Sequence, residues 1–306
     1  MSVYDIVIIG GGPAGITAGI YGSRAALKVL LIESAMPGGL AATTDLIENY
    51  PGFPEGLNGS ELSANMLNQA ERFGLQMQYG AVYSLKKEDN LFYLTTDEGE
   101  VQAKSVILAT GAKPRMSGCP GEKEYYGRGV SYCATCDGAF FRDKVVVVVG
   151  GGDSAVEEAG YLTKFASKVY LVHRRNELRA AKIVQQRAKA NPKLEFKLSK
   201  VVEAIQGDQF VQSVILKDVE SGDLETLEAQ GVFMYIGYNP STDLVKDLVE
   251  LDPKGYIITD AEMKTALPGL FAAGDVRQKL LRQVVTATAD GAIAAVAAEK
   301  YLENIF

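Results

Sequence analysis

The chain has 306 residues, 47% of them hydrophobic and 23% charged, a globular composition long enough to bury two separate cores. Its formal net charge of -7 argues against nucleic acid as a partner, and no block of Lys and Arg offsets it. No apolar run reaches the roughly 20 residues that span a bilayer, and Met1-Ser2-Val3-Tyr4-Asp5 passes into a strand-like run without a basic leader, so a soluble, cytoplasmic protein is expected.

The first element, Asp5-Ile6-Val7-Ile8-Ile9, is a continuous apolar run of the kind found in a parallel strand buried on both faces. It leads into Gly10-Gly11-Gly12-Pro13-Ala14-Gly15 and a small-residue helix through Ala18, Tyr21 and Ala25. Gly10, Gly12 and Gly15 match G-x-G-x-x-G in the setting of strand, tight turn and helix. Missing side chains there let the backbone approach a pyrophosphate, and the helix N-terminus presents free N–H groups to it. A second strand, Val29-Leu30-Leu31-Ile32-Glu33, ends in an acid 23 residues beyond Gly10, the place from which a carboxylate receives ribose hydroxyls.

Leu91 to Thr96 and Val101 read as strands of a small hairpin insert. Ser105-Val106-Ile107-Leu108-Ala109-Thr110-Gly111 reads as a further parallel strand with a small-residue turn, and Lys113-Pro114 to Pro120-Gly121 as a linker. Next comes Cys133-Ala134-Thr135-Cys136-Asp137, with the spacing of a redox dithiol or of half a zinc site. The only other cysteine is Cys119 and the only histidine His173, so a four-ligand zinc site would need carboxylates, which structural zinc sites seldom use. A purely structural bridge would close a very small loop and constrain the unfolded chain little. Disulfide exchange is the favoured reading. Cys119 has no evident partner and is read as structural.

Lys144-Val145-Val146-Val147-Val148-Val149 followed by Gly150-Gly151-Gly152-Asp153-Ser154-Ala155 repeats the first unit 140 residues on, with Gly150, Gly152 and Ala155 at the positions of Gly10, Gly12 and Gly15. The same shift carries Glu33 onto His173, followed by Arg174 and Arg175 and then Arg179. An acid repels a 2'-phosphate, whereas guanidinium groups bind it bidentately, so this second site is expected to prefer NADPH to NADH. Cys133 and Cys136 precede this loop by about a dozen residues and belong to the second unit.

Ala180 to Ala190 reads as a helix, and Leu194 to Leu198, Val211 to Lys217 and Gly231 to Gly237 as strands, with Asn239-Pro240 as a return linker. Gly269 to Val276 reads as a buried strand ending in Gly274-Asp275, where an acid can accept a hydroxyl from a polyol such as the ribityl chain of a flavin. Val284 to Ile305 reads as an alanine-rich helix. The first domain is therefore built from both ends of the chain.

Gly10 to Gly15, Gly38-Gly39, Ile47 to Phe53, Ala109-Thr110-Gly111, Cys133 to Gly138, Gly150 to Ala155, His173-Arg174-Arg175 and Gly274-Asp275-Val276 with Arg282-Gln283 together resemble the bacterial low-molecular-weight thioredoxin reductases over essentially the whole chain. The resemblance implies an α/β fold of two Rossmann-like three-layer dinucleotide-binding domains. The FAD domain would be discontinuous, residues 1–113 and 241–306, with the NADPH domain inserted at 114–240. It further implies a homodimer, FAD and NADPH as cofactors, no metal, and thioredoxin or a thioredoxin-like protein as substrate. FAD would be held by Gly10, Gly12, Pro13, Ala14, Gly15, Glu33, Ser34, Gly38, Gly39, Leu40, Asn49, Thr110, Gly111, Gly274, Asp275, Arg282, Gln283 and Val284. NADPH would meet Gly150 to Ala155, His173, Arg174, Arg175 and Arg179. By the same resemblance Cys136 faces the flavin, Cys133 attacks the partner disulfide, Asp137 protonates the flavin-facing thiolate, and the NADPH domain rotates between half-reactions.

Two positions depart from the family pattern: Leu40 stands where Gln is common, removing an amide that would reach the flavin, and Ala289 where Gly is common. Relatives that draw electrons from ferredoxin lack NADPH recognition, which His173, Arg174, Arg175 and Arg179 retain here. A peroxidase-feeding reductase would carry an extra redoxin domain ahead of Gly10, which only nine residues precede.

Overall fold

A computed structural model describes residues 3–305; Met1, Ser2 and Phe306 lie outside the described residues, and with them the head of the run read above as lacking a leader. The chain divides into two compact units, Met1–Lys113 with Asn239–Phe306, and Pro114–Tyr238. The second crossing falls after Tyr238, at the Asn239-Pro240 return linker expected from sequence.

In the first unit the strands Gln76–Tyr79, Val29–Glu33, Val3–Ile9 and Gly99–Leu108 lie side by side in parallel, and Leu270–Ala272 joins the far half of Gly99–Leu108, also in parallel. The near half of Gly99–Leu108 carries an antiparallel hairpin, Val82–Glu88 with Leu91–Thr96. Val101 and Ser105 to Leu108, read as separate strands, are thus one ten-residue strand. Its polar first half pairs with a surface hairpin and its apolar second half lies in the sheet centre, and this change of partner disguised its continuity. Alternation sorts the side chains: Ile6, Ile8, Leu31 and Ile107 pack under the helices Pro13–Arg24, Gly59–Arg72 and Val284–Ile305. Val7, Ile9, Leu30 and Leu108 pack on the other face against Phe92 and Leu94 of the hairpin and against Val245 and Ile257.

The second unit repeats the plan. Its all-parallel sheet runs Leu194–Leu198, Lys168–His173, Val145–Gly150, Gly231–Tyr235, Val130–Ser131. Val146, Val148, Leu171 and Phe233 pack against the helices Asp153–Leu162 and Lys182–Ala190. Val147, Val149, Val172 and Met234 pack against a three-stranded antiparallel sheet of Lys200–Gly207, Val211–Asp218 and Leu224–Glu228. Each unit is a three-layer Rossmann-like fold, so every loop at the carboxyl ends of its parallel strands opens on the same edge of that unit. The expected strand Gly269 to Val276 is ordered as a strand only over Leu270–Ala272, because Gly274, at φ +79°, bends the chain into the short 3₁₀ turn Gly274–Val276.

Phe233 is fully buried, its ring edge-on to Phe141 with centroids 5.2 Å apart. Phe233→Ala is expected to cost about 3–5 kcal/mol. Hydrogen exchange will show the loss in the slow amides of Pro114–Tyr238 and not in the separate core of the first unit.

Candidate active site

The first glycine turn is shaped by close approach. A Cβ at Gly10 would lie 2.4 Å from the Ala109 carbonyl oxygen and one at Gly15 1.9 Å from the Gly10 carbonyl oxygen, so strand end and helix N-terminus meet only because both residues lack side chains. Gly12 differs: a Cβ there would meet nothing within 4 Å, and the helix Pro13–Arg24 starts immediately after it over open space. Glu33 stands against this turn, its two carboxylate oxygens accepting the Gly11 amide at 2.5 Å and the Ala35 amide at 2.7 Å. The Gly38 amide donates to the Gly11 carbonyl at 2.7 Å, and a Cβ on Gly39 would lie 3.4 Å from Gly12 Cα, so the second glycine pair closes over the first turn. Leu40 sits exposed on the short helix Gly39–Ala42. Asn49 and Gln283, 234 residues apart, are hydrogen-bonded at 3.1 Å. Thr110 donates its hydroxyl to the Ser241 carbonyl at 2.8 Å, and Gly111 follows at φ +62°.

Asp275 lies on the 3₁₀ turn with Oδ1 buried and unpartnered, and burial raises its carboxyl above the ordinary carboxylate range against the opposing pull of Lys279 and Arg282. Arg282 is stacked on Tyr256, its guanidinium carbon 3.8 Å from the ring centroid, with Nε also buried and unpartnered. A buried acceptor and a buried donor left open beside a glycine cradle fit a flavin nucleotide, whose ribityl hydroxyls and polar ring edge would satisfy them. Below them lies a residue that sequence reasoning missed. Asp290, buried within the long helix, accepts the Gly274 amide at 3.0 Å and Lys279 Nζ at 2.7 Å and pairs with Arg277 at 3.4 Å. One carboxylate therefore ties three points of the turn and the segment after it to the helix preceded by Arg282, Gln283 and Val284. An acid inside an alanine-rich helix was the signal available for it.

In the second unit a Cβ at Gly150 would lie 2.4 Å from the Tyr235 carbonyl oxygen, and one at Gly152 would again meet nothing within 4 Å. A Cβ at Gly151 would strike the His173 ring at 2.5 Å, so that imidazole lies flat on the glycine turn. The Gly151 carbonyl accepts the Arg179 amide at 2.7 Å, and Asp153 accepts the Ala181 amide at 2.7 Å, which folds the Arg174 to Arg179 segment back toward the helix start carrying Ser154 and Ala155. Arg174, Arg175 and Arg179 are exposed, whereas His173 is buried with Nε2 unpartnered. Burial first, then Arg179, Arg174 and Arg175, hold its pKa below the ordinary value. Three guanidinium groups act on one imidazole beside the glycine turn, a cluster whose chemistry suits the further phosphate of a dinucleotide.

Cys133 and Cys136 form a disulfide, with Cα atoms 5.3 Å apart, at the head of the four-residue helix Ala134–Asp137. Cys133 is half-buried and Cys136 exposed. Cys133 Sγ accepts the Cys136 amide at 3.2 Å, so this sulfur serves as the cap of its own helical turn. The buried Ala134 amide donates to the Tyr235 hydroxyl at 2.8 Å, and burial holds that phenol far above its ordinary pKa. Ser131 Oγ accepts the Cys133 amide at 3.0 Å and donates to Asp137 Oδ2 at 2.6 Å. Neither Ser131 nor Tyr235 carries a sequence signal, because each acts through strand placement. Cys119 stands apart: its half-buried thiol is raised by desolvation and by Glu122, which is itself buried under hydrogen bonds from Ser117, Gly118 and Tyr132.

Removing Asp290 would leave Lys279 and Arg277 buried without their counter-charge. Asp290→Ala is expected to lose about 3–5 kcal/mol in urea unfolding. The Asp290→Leu, Lys279→Met, Arg277→Met triple variant, which leaves neither cation unpaired, should recover most of that loss.

The pyridine nucleotide-disulphide oxidoreductase family matches residues 4–291. The thioredoxin reductase of Peptoclostridium litorale is 52% identical over 311 residues, covering 100% of this chain and 99% of that protein. The thioredoxin reductase of Treponema pallidum is 49% identical over 302 residues, covering 99% and 98%. Among solved structures, Lactococcus lactis thioredoxin reductase superposes with a TM-score of 0.97 at 48% identity, covering 99% of this chain and 100% of that one. T. acidophilum thioredoxin reductase does so at 0.94 with 35% identity and complete coverage of both, 100% and 100%. With identities of this size over its full length, and with a disulfide placed on the second of two dinucleotide cradles, the chain belongs to the thioredoxin reductases of the pyridine nucleotide-disulphide oxidoreductase family.

Proposed function

We propose that this protein is an NADPH-dependent flavin disulfide oxidoreductase that reduces thioredoxin or a thioredoxin-like protein by exchange through Cys133 and Cys136. The observation that carries the reading is the disulfide itself, closed across a helical turn and built into the same unit as the arginine-flanked glycine turn. Together, bound FAD and NADPH supply hydride transfer and a two-electron carrier able to reduce a disulfide.

Residues of the first unit would hold FAD. The amides around Gly10 to Gly15 receive the pyrophosphate, with Gly38, Gly39, Thr110 and Gly111 shaping the cradle. Glu33, each of whose oxygens keeps a free lone pair, receives ribose hydroxyls, and Asp275 Oδ1 receives a ribityl hydroxyl. Arg282, fixed by Tyr256, and the paired Asn49 and Gln283 complete the enclosure. In the second unit Gly150 to Ala155 would cradle the pyrophosphate of NADPH, and His173, Arg174, Arg175 and Arg179 its 2'-phosphate.

At the dithiol the capping amide of Cys136 stabilises negative charge on Cys133 Sγ, which makes Cys133 the sulfur that attacks the partner disulfide. Cys136 is assigned to receive electrons from the flavin side and later to displace the partner by attacking Cys133 Sγ. Asp137 supplies the proton that the flavin-facing thiolate of Cys136 takes up. From the family resemblance we also infer a homodimer acting in the cytoplasm; among the described residues no helix is long and apolar enough to cross a membrane.

One equivalent of NADPH added anaerobically to the FAD-loaded protein should bleach the flavin absorbance, and oxidised thioredoxin should restore it. In Cys133→Ser or Cys136→Ser protein the flavin should still bleach while thioredoxin stays oxidised. A flavin that remains yellow with NADPH would refute the donor assignment.

His173 is the sole histidine, so its imidazole proton can be titrated by NMR without ambiguity. Its folded pKa lies below the ordinary 6.5, so the folded chain binds fewer protons than the unfolded one. The stability this represents is fully present above that ordinary value and is lost as pH falls from it down through the lower folded pKa. NADP⁺ should move the titration upward, because a phosphate dianion offsets the three arginines, whereas NAD⁺ should move it little.

A further inference from the structure

Ser131 ends the strand Val130–Ser131, pairs in register with Phe233 at the edge of the parallel sheet, and is 3% exposed. A hydroxyl buried there has one hydrogen to give and two lone pairs. The hydrogen has two candidate acceptors, the Cys133 carbonyl at 3.3 Å and Asp137 Oδ2 at 2.6 Å. The second is much the shorter, so the hydrogen goes to the carboxyl group. One lone pair is taken by the Cys133 amide at 3.0 Å. A chain of polarised bonds therefore runs from the backbone of the first redox cysteine through Ser131 to Asp137, each bond strengthening the next. Asp137 Oδ1 accepts no hydrogen bond from the described residues, so one oxygen is fixed and the other is left open.

We propose that Ser131 is a positioning residue for proton transfer at the redox disulfide, holding Asp137 by Oδ2 so that Oδ1 can carry the proton. The proposal rests on the reading of Asp137 as the proton donor. The step it serves is balanced: the reduced enzyme holds Cys133 and Cys136 as thiols, Cys133 gives its proton to Asp137 as it attacks the partner disulfide, one partner sulfur joins Cys133, and the other leaves as a thiolate that takes that proton from Asp137. Cys136 gives its proton to Asp137 in the same way as it attacks Cys133 Sγ, the Cys133–Cys136 bond re-forms, and the second partner sulfur leaves and takes that proton. Two electrons pass to the partner with two protons. With the proton on Oδ1, Oδ2 remains an acceptor, so Ser131 can donate to Asp137 in both protonation states, and its strand keeps it in place when the disulfide opens.

The test is a double-mutant cycle in the FAD-loaded enzyme, following NADPH-dependent thioredoxin reduction as kcat and KM against pH for Ser131→Ala, Ser131→Thr, Asp137→Asn and the Ser131→Ala, Asp137→Asn pair. A positioned acid contributes roughly 10²–10⁴-fold, and loss of its holder is expected to lower kcat about tenfold, with KM within about twofold, and to displace the pH profile. Ser131→Thr should restore the profile. In the Asp137→Asn background Ser131→Ala should change kcat less than about twofold, since the acid it positions is already gone. Should Ser131→Ala lower the unfolding midpoint, the cycle still decides, because a purely structural loss would add in full on the Asp137→Asn background. That additive result, or a wild-type pH profile in Ser131→Ala beside an impaired Asp137→Asn, overturns the proposal alone. An unimpaired Asp137→Asn enzyme would remove the proton-donor reading and the proposal with it.

Discussion

A methyl group on Gly15 would stand 1.9 Å from the Gly10 carbonyl oxygen, and one on Gly150 would stand 2.4 Å from that of Tyr235 and 2.6 Å from Ala155 Cβ. Both units depend on bringing a helix N-terminus against a strand end more tightly than side chains allow. The strand end is bare in each, at Gly10 and at Gly150; the helical residue is bare as well in the first unit, at Gly15, whereas in the second Ala155 keeps its methyl. Once this approach is made, the residue just ahead of each helix, Gly12 or Gly152, borders open space into which a Cβ would project without contact. Neighbouring strands then deliver Glu33 and His173 to corresponding positions, 140 residues apart.

Around these cradles the protein treats buried polar groups in two ways. Asp290 and Glu122 are saturated, each accepting several hydrogen bonds, and each fastens a loop that would otherwise be free. Asp275 Oδ1, Arg282 Nε and His173 Nε2 are the reverse, buried and open. The first group builds the scaffold, and the second stores unmet hydrogen-bonding capacity that a bound nucleotide can satisfy. The open groups are held in place by the closed ones: Asp290 grips Gly274 directly ahead of Asp275, and Tyr256 carries Arg282 on its ring face.

What could be read before the structure was whatever local chemistry dictates. Val3–Ile9 and Val145–Gly150 are continuous apolar runs followed by glycines, and Glu33, His173 and the Cys133–Cys136 pair sit at short fixed offsets from them. Elements whose pattern reflects two environments were harder. Gly99–Leu108 changes partner halfway along, the strand Val82–Glu88 alternates weakly on a half-solvated hairpin, and Leu270–Ala272 is too short to show a period. Ser131 and Tyr235 were not legible because their importance comes from where the fold places them: Ser131 ends the strand just ahead of the disulfide, and Tyr235 reaches the Ala134 amide from the end of another strand. Asp290 left only the trace of an acid in an alanine-rich helix.

The third thiol bears on how the other two can be used. A chain that repeatedly opens and closes one bridge is exposed to scrambling, in which a stray thiolate captures a redox sulfur and traps the wrong pairing. Cys119 is protected against that role. Desolvation and the neighbouring Glu122 raise the pKa of its half-buried thiol, and its amide is pinned by the Ser117 hydroxyl at 3.1 Å. A thiolate disfavoured in this way leaves Cys133 and Cys136 as the two sulfurs poised for exchange.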